Sequence, residues 1–202
     1  MLGFYENFPV NIHKTIRFTT SISSKRFQQA LIRNLHEINN KTFTLEDIAD
    51  PSLHRCIVIL EFGIAEANTF NYVDNEEKNK VLKAINRKPF HVMDFFCSLR
   101  YYKMRNEKKT PLKFDYYMIR FIFNKDLMDV QIFHERGPRY ISPEDIVTFF
   151  INKINEAFSK KILKTLLPFQ SILNQAQPPL DKLKRNKCSD QKLQFSLYSK
   201  LE

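Results

Sequence analysis

The chain has 202 residues, of which 43% are hydrophobic and 27% are charged, and its 32 Lys and Arg outnumber its 22 Asp and Glu to give a formal net charge of +10 at pH 7. This composition is that of an ordinary globular domain, and the length is sufficient for a sizeable core. The three glycines, Gly3, Gly63 and Gly137, lie too far apart for a GxGxxG or Walker phosphate-binding loop. We therefore expect one globular domain and disfavour a Rossmann-type or P-loop nucleotide enzyme.

The cysteines and histidines show no spacing that is typical of a metal centre or a disulfide framework. Cys56, Cys97 and Cys188 are odd in number and form no CxxC pair, and no two histidines follow an HxH or HxxxH pattern. We expect reduced thiols, no metal and no cofactor. The first residues lack the pattern of a signal peptide, and no stretch approaches the ~18 apolar residues of a membrane span, which predicts a cytoplasmic protein with no membrane partner.

The first predicted elements are a strand, a capped helix and a short helical turn. Residues 13–22 alternate apolar and polar side chains, as a half-buried strand does. Ser23 or Ser24 is placed to cap a helix whose apolar residues recur at three- and four-residue intervals up to Ile38. Residues 44–47 have the capping-box pattern of a helical turn.

A buried strand and a second helix follow. Residues 56–65 are almost continuously apolar, which predicts a central strand covered on both faces. Gly63 inside this strand predicts a β-bulge. Asp74 then caps a helix that Pro89 ends.

The second half of the chain predicts a meander and a closing helix. Residues 91–104 and 111–124 form an aromatic hairpin, and residues 128–135 form a third strand. Ser142 caps a helix with a proline at its first position, and the apolar pattern allows that helix to extend to Pro168.

The element order β-α-α-β-α-β-β-β-α predicts an α+β fold. We expect a single curved, mostly antiparallel sheet of about five strands, packed by helices that include a long C-terminal one. The order is compatible with a helix-grip arrangement, in which the sheet wraps around its last helix. Residues 1–176 are assigned to one domain, and residues 177–202, with six Lys or Arg against three acids, predict a flexible basic tail.

Basic and tyrosine side chains are interleaved along the predicted hairpin. Cations that neutralise phosphates, beside rings that stack on bases, are what a single-stranded nucleic-acid surface requires. The alternative role is structural and more common, because lysines also protect sheet edges and tyrosines fill sheet faces. The residues of this predicted nucleic-acid-binding site are Arg100, Tyr102, Lys103, Arg105, Lys108, Lys109 and Lys113.

A second candidate site lies between the last meander strand and the closing helix. His134, Arg136 and Arg139 precede a helix start, where backbone N–H groups and cations together suit an anion. The alternative is an ion-paired turn that fixes the last helix. His134 and Glu135 are neighbours on a strand and point to opposite faces, so we do not expect them to act together as acid and base.

Three carboxylates, Glu61, Asp94 and Asp115, lie within apolar strands. A carboxylate among apolar side chains needs a partner. Cross-strand ion pairs are the expected solution, and a catalytic role is the alternative. The arginines in comparable strand positions are Arg17, Arg100 and Arg120.

These features favour a non-catalytic module that binds RNA, DNA or a ribonucleoprotein through the basic, tyrosine-rich hairpin and the basic tail. Two alternatives remain at this stage. One is an assembly subunit whose exposed aromatic surface docks another protein. The other is a small-molecule-binding domain or enzyme, with a cavity between the sheet and the last helix that aromatic rings and a carboxylate line.

Overall fold

The computed structural model describes residues 1–49, 55–105, 108–158 and 162–165. In these residues three α-helices pack on an eight-stranded antiparallel sheet, which is a mixed α+β fold. The strands are β1 (Lys14–Thr20), β2 (Thr42–Thr44), β3 (Cys56–Glu66), β4 (Thr69–Tyr72), β5 (Val92–Arg105), β6 (Lys108–Phe123), β7 (Leu127–Arg136) and β8 (Leu163–Thr165). The helices are α1 (Ser24–Ile38), α2 (Asn75–Arg87) and α3 (Pro143–Ala157), and Leu45–Asp47 form one 3-10 turn.

The sheet is a meander to which the first strand adds at one side. β3, β5, β6 and β7 lie side by side in chain order, and the short strands β2 and β4 both pair with β3. β1 pairs with β7 and is followed at the edge by β8. The first and last described strands therefore lie next to each other.

The sheet has an inner face that carries the core and an outer face turned away from the helices. Side chains alternate between the two faces along each strand, and inner-face residues such as Phe62 and Cys97 are fully buried. The ring of Phe150 in α3 meets the Phe62 ring edge-on, with 5.3 Å between centroids. Because the helices pack on the inner face, the accessible side chains of the strands lie on the outer face.

The N-terminal segment, residues 1–8, crosses part of the outer face before β1 begins. The Gly3 N–H donates to the Ala65 carbonyl at 2.7 Å, and the Asp94 N–H donates to the Gly3 carbonyl at 2.9 Å. The Phe8 side chain is buried at the end of the segment. The outer face is thus covered near the start of β5 and open towards the hairpin of β5 and β6.

The three predicted helix starts are confirmed. Ser23, Asp74 and Ser142 are the N-caps of α1, α2 and α3. Each side-chain oxygen accepts a backbone N–H three residues later, at 3.4, 2.8 and 3.1 Å respectively. These bonds satisfy donors that have no partner within the helix.

The strands match the sequence prediction less completely. β1, β3, β5, β6 and β7 correspond to the five predicted strands, whereas β2, β4 and β8 were not predicted because three or four residues are too few to show alternation. The prediction that the last helix extends to Pro168 is wrong, since α3 ends at Ala157. The side chain of Asn155 accepts the backbone N–H groups of Ile162 and Leu163 at 3.0 and 3.1 Å, and this contact leads the chain into β8.

The predicted β-bulge at Gly63 is also wrong. The register of β3 against β5 is continuous through Gly63, which pairs with Phe96. A Cβ at Gly63 would lie 3.0 Å from the Cβ of Phe70. The glycine therefore permits the close approach of β4 and makes no irregularity in its own strand.

The predicted basic tail, residues 177–202, lies outside the described residues. Among the residues that are described, no helix is long and apolar enough to cross a membrane.

Candidate functional site

Aromatic rings from three strands, β4, β5 and β6, gather on the open part of the outer face. We call these residues, Phe70, Tyr72, Phe96, Phe114 and Tyr116, the aromatic platform. Tyr72 is 47% exposed and Phe114 is 45% exposed. The rings of Phe114 and Tyr116 are nearly parallel, at 10° with centroids 6.2 Å apart, and those of Phe96 and Tyr116 are 5.7 Å apart at 28°. The platform surrounds an open depression of about 320 Å³.

Charged groups border the platform and lie in its floor. The guanidinium of Arg136 lies 4.6 Å from the centroid of the Tyr116 ring, a distance at which cation and ring attract each other. Arg100 forms an ion pair with Glu61 at 2.6 Å, and the Ser98 hydroxyl donates to the same carboxylate at 3.2 Å. Arg100 Nε is buried with no hydrogen-bond partner among the described residues. Polar donors and aromatic faces are thus presented together.

The end of the β5–β6 hairpin projects beyond the neighbouring strands. β6 pairs with β7 only from Tyr116 onwards, and β3 reaches no further along β5 than Lys103. Residues 108–114 are all exposed. This projecting part of the hairpin carries the cations predicted to bind nucleic acid.

The structure places the predicted nucleic-acid-binding residues on both faces of this hairpin. Arg100 and Tyr102 belong to the outer face, since they are in register with Phe114 and Pro111. Five cations are exposed and form no ion pair with any acid in the described part of the chain. These five are Lys103, Arg105, Lys108, Lys109 and Lys113.

Two tyrosines of the hairpin belong to the core. Tyr101 and Tyr117 lie on the inner face, where the Tyr101 hydroxyl donates to Asp115 at 2.8 Å and the Tyr117 hydroxyl donates to the Ile141 carbonyl at 2.7 Å. Burial, and after it the charge of Asp115, raises the pKa of both phenols well above its usual value. These rings are unavailable to a ligand, and the accessible tyrosines of the hairpin are Tyr102 and Tyr116.

The turn predicted to bind an anion surrounds a carboxylate of the protein itself. The backbone N–H groups of Arg139 and Tyr140 donate to Asp115 at 2.7 and 3.1 Å, and His134 Nε2 lies 2.8 Å from the same carboxylate. Asp115 is fully buried. The backbone donors that an external anion would use are therefore already engaged.

The cations of that turn produce a positive electrostatic potential around His13. Desolvation first, and then the charges of Arg139 and His134, lower the pKa of His13. Arg139 itself is exposed, and Arg136 lies against Tyr116. Of the three residues predicted to bind an anion, Arg136 lies at the border of the platform, His134 contacts Asp115, and Arg139 is exposed.

The remaining carboxylates are paired as the sequence leads one to expect. Glu61 pairs with Arg100, and Asp94 pairs with Arg120 through two contacts of 2.7 and 2.8 Å. Arg17 pairs with Asp129, which sequence reasoning did not single out. None of the three buried or half-buried carboxylates is left as a free acid or base.

Sequence reasoning missed the platform itself. Phe70, Tyr72, Phe96 and Phe114 were not singled out, because the choice between faces depends on strand register. The β-bulges between Arg100 and Tyr102, and between Tyr116 and Tyr117, shift that register. The one available signal was the alternation of Phe96, Ser98 and Arg100, which sets three functional side chains on a single face.

Removing the Tyr101 hydroxyl tests the Asp115 cluster. Tyr101→Phe is expected to lower the free energy of unfolding by about 1.5–3 kcal/mol, because a hydrogen bond to a buried charged group is lost. The measurement is urea denaturation followed by circular dichroism. Tyr140→Phe is the matched control, since its ring packs on Tyr101 at 5.1 Å and its hydroxyl makes no hydrogen bond with the described residues; a change of less than about 0.5 kcal/mol is expected there. Equal losses in the two variants would contradict the assignment.

No group of three or more His, Cys, Asp or Glu side chains converges on a metal-sized site in residues 1–49, 55–105, 108–158 and 162–165.

Comparison with protein-family models, with curated protein sequences and with solved structures returned no match for this chain. The chemistry of the outer face and the hairpin is therefore the basis for assigning a function.

Proposed function

We propose that the protein is a non-catalytic module that binds nucleic acid, or a ribonucleoprotein, through the projecting basic hairpin. The observation that carries this proposal is the set of five exposed cations, Lys103, Arg105, Lys108, Lys109 and Lys113, which lack acidic partners among the described residues. Clustered cations without counter-charges repel one another, and a polyanion removes that repulsion and releases its own bound counterions. The basic sequence of residues 177–202 adds charge of the same sign.

The paired carboxylates argue against an enzyme. Glu61, Asp94 and Asp115 each accept hydrogen bonds or form ion pairs, so none is the unpaired buried carboxylate that would favour the small-molecule alternative. The protein-docking alternative keeps one supporting observation, which is the exposure of Leu112, Phe114 and Tyr72.

We further propose a helix-grip arrangement and a cytoplasmic location. Support for the first comes from β1 lying beside β7 and from the packing of α3 on the inner face through Phe150. Support for the second comes from Cys97, a fully buried thiol with no disulfide partner among the described residues, which fits a reducing compartment.

Removal of three hairpin cations tests the proposed function. The triple variant Lys103→Ala, Lys108→Ala and Lys109→Ala is expected to lower affinity for a mixed-sequence 20-nucleotide single strand about ten- to a hundredfold at 0.1 M salt. The slope of log K against log salt concentration is expected to become shallower by about 2, because about three phosphate contacts are lost. Fluorescence anisotropy titrations at several salt concentrations measure both quantities.

The control removes the same charge from elsewhere. Arg33, Lys83 and Lys88 are exposed on or just after α1 and α2, and their triple alanine variant is expected to bind nearly as the parent chain does. Absence of binding by the parent chain, or equal weakening in the two triple variants, would overturn the proposal.

A further inference from the structure

The aromatic platform is open at the side that faces the hairpin. The N-terminal segment covers the outer face as far as Phe70, whose ring packs on the Tyr5 ring with centroids 4.8 Å apart. Beyond Phe70 the platform continues through Phe96 and Tyr116 to Phe114, which is 45% exposed. A row of exposed aromatic rings leaves apolar surface in contact with water, and a surface of this kind marks a binding site.

The polar groups in and around the platform favour one class of ligand. The centre of a protein-docking surface is depleted of charged residues, whereas here the Arg100–Glu61 pair and Ser98 lie in the floor. Arg136 lies against the Tyr116 ring, and Lys113 is the exposed neighbour of Phe114. A cation held against an exposed ring row, as Arg136 is against Tyr116, is an arrangement that suits a base with its phosphate.

The duplex form of nucleic acid does not suit this surface. In a double helix the base faces are stacked on one another, so they are not available to protein rings, and recognition uses grooves and phosphates. In a single strand the base faces are free, and each base stacked on an aromatic ring contributes affinity whatever its sequence. The rings of Phe114 and Tyr116 belong to the strand that also carries Lys108, Lys109 and Lys113, so one strand supplies both rings and cations.

We infer that the aromatic platform is the base-stacking site of a single-stranded nucleic acid, whose phosphates lie on Arg136 and on the cations of the hairpin. This inference rests on the proposed function and adds the strandedness of the ligand and the residues that read it. Phe114 and Tyr116 stack on bases, and the Phe96 ring packs against the Tyr116 ring in the same row. Glu61 and Ser98 line the same depression and place polar groups where a base edge or sugar oxygen would lie.

The experiment compares single-strand and duplex binding in ring variants. Labelled oligothymidine of 12 nucleotides and a 12-base-pair duplex are titrated with the parent chain and with Phe114→Leu, Tyr116→Leu and Tyr116→Phe. We expect the parent chain to prefer the single strand, and each leucine variant to lose about tenfold or more in affinity for it. The Tyr116→Phe variant should keep most of the affinity because it keeps the ring. The salt slope should stay constant, since no charge is removed.

Two further measurements separate stacking from apolar contact and from misfolding. Leu112→Ala removes an apolar side chain that is 37% exposed on the same hairpin, and it is expected to leave single-strand affinity unchanged. The unfolding midpoint of Phe114→Leu should remain close to that of the parent chain, because Phe114 is 45% exposed and leucine keeps part of its apolar contact. Loss of affinity with a retained midpoint is the result expected for a stacking site.

The outcomes distinguish this inference from the proposed function. If the parent chain binds both nucleic acids equally and Phe114→Leu binds as well as the parent, the stacking site is overturned while nucleic-acid binding stands. Where the parent chain binds neither oligonucleotide at any salt concentration, the proposed function fails, and the platform is then assigned to a protein partner.

Discussion

Replacing Arg120 with alanine is expected to lower the free energy of unfolding by about 3–5 kcal/mol. Arg120 holds Asp94 through two contacts of 2.7 and 2.8 Å, and the Asp94 side chain is fully buried. The Tyr5 N–H also donates to Asp94, at 2.8 Å. Without the guanidinium, Asp94 is a buried charge with one remaining backbone donor from the N-terminal segment, which is why the loss is large. Urea denaturation at constant pH measures it.

The N-terminal segment should respond to the same substitution. Arg120 donates to the Tyr5 carbonyl at 3.1 Å, and its guanidinium lies 4.2 Å from the centroid of the Phe8 ring. Loss of these contacts removes part of what holds residues 1–8 on the outer face, and the backbone bonds of Gly3 remain. Limited proteolysis near Tyr5 is expected to accelerate in Arg120→Ala under conditions where the rest of the domain stays folded.

The pair of Arg17 with Asp129 is the natural control. It has the same two-contact geometry, at 2.6 and 2.8 Å, but the Arg17 side chain is 56% exposed. Arg17→Ala is expected to lower the free energy of unfolding much less than Arg120→Ala does, because solvent screens the exposed guanidinium. A loss in Arg17→Ala as large as that in Arg120→Ala would contradict the role given to burial. The double variant Asp94→Leu with Arg120→Met should lose much less than the two single changes together, since it leaves no unpaired charge.

The sequence predicts elements better than it predicts which side of the sheet a residue occupies. Helix starts depend on local chemistry, and the caps Ser23, Asp74 and Ser142 are therefore readable from a few letters. Tyr101 and Tyr102 are neighbours with opposite environments, one buried in the core and the other half-buried on the outer face. Nothing local distinguishes them, because the face is set by register with β3 and β6.

The candidate site shows the same limit. A run of cations in the hairpin is a sequence property, so Lys103, Arg105, Lys108, Lys109 and Lys113 could be named from the sequence, whereas the pairing of Arg100 with Glu61 could not. The platform is not, since Phe70 and Tyr72 reach Phe96 and Tyr116 only through the pairing of β4 with β3 and of β5 with β6. The sequence suggested an anion site or an ion-paired turn after β7, and the structure places the protein's own Asp115 against the N–H groups of that turn. That the anion is Asp115 depends on a contact between residues 24 positions apart.

Gly137→Ala is expected to lower the free energy of unfolding by about 3–5 kcal/mol. Gly137 has a φ of 121°, a region that L-residues rarely adopt, and a Cβ there would overlap the Phe114 carbonyl oxygen and the Asp115 carboxylate. It would also lie 2.8 Å from the Asp115 Cα. The turn must move away, which pulls the Arg139 and Tyr140 N–H groups off a fully buried carboxylate. Thermal and urea unfolding both measure the loss.

Gly3→Ala separates backbone strain from steric overlap. Gly3 has a φ of 79°, yet a Cβ there would meet the Phe90 ring at 3.4 Å, which is ordinary contact. We expect it to cost about 1 kcal/mol, the strain alone. If the Gly137 and Gly3 variants lose the same free energy, the overlap with Asp115 has no consequence and the account of the turn is wrong.

A double-mutant cycle connects this turn to the carboxylate it encloses. Asp115→Ala alone should cost about 3–5 kcal/mol, because it leaves the Tyr101 hydroxyl and two backbone N–H groups without their acceptor. In the double variant with Gly137→Ala, one of the two overlapping groups is gone and the donors have already lost their acceptor. The combined loss is therefore expected to fall short of the sum by about 1–3 kcal/mol. Simple additivity would mean that the turn and the carboxylate act independently, and Asp115 would then not be the anion that fixes the approach of α3.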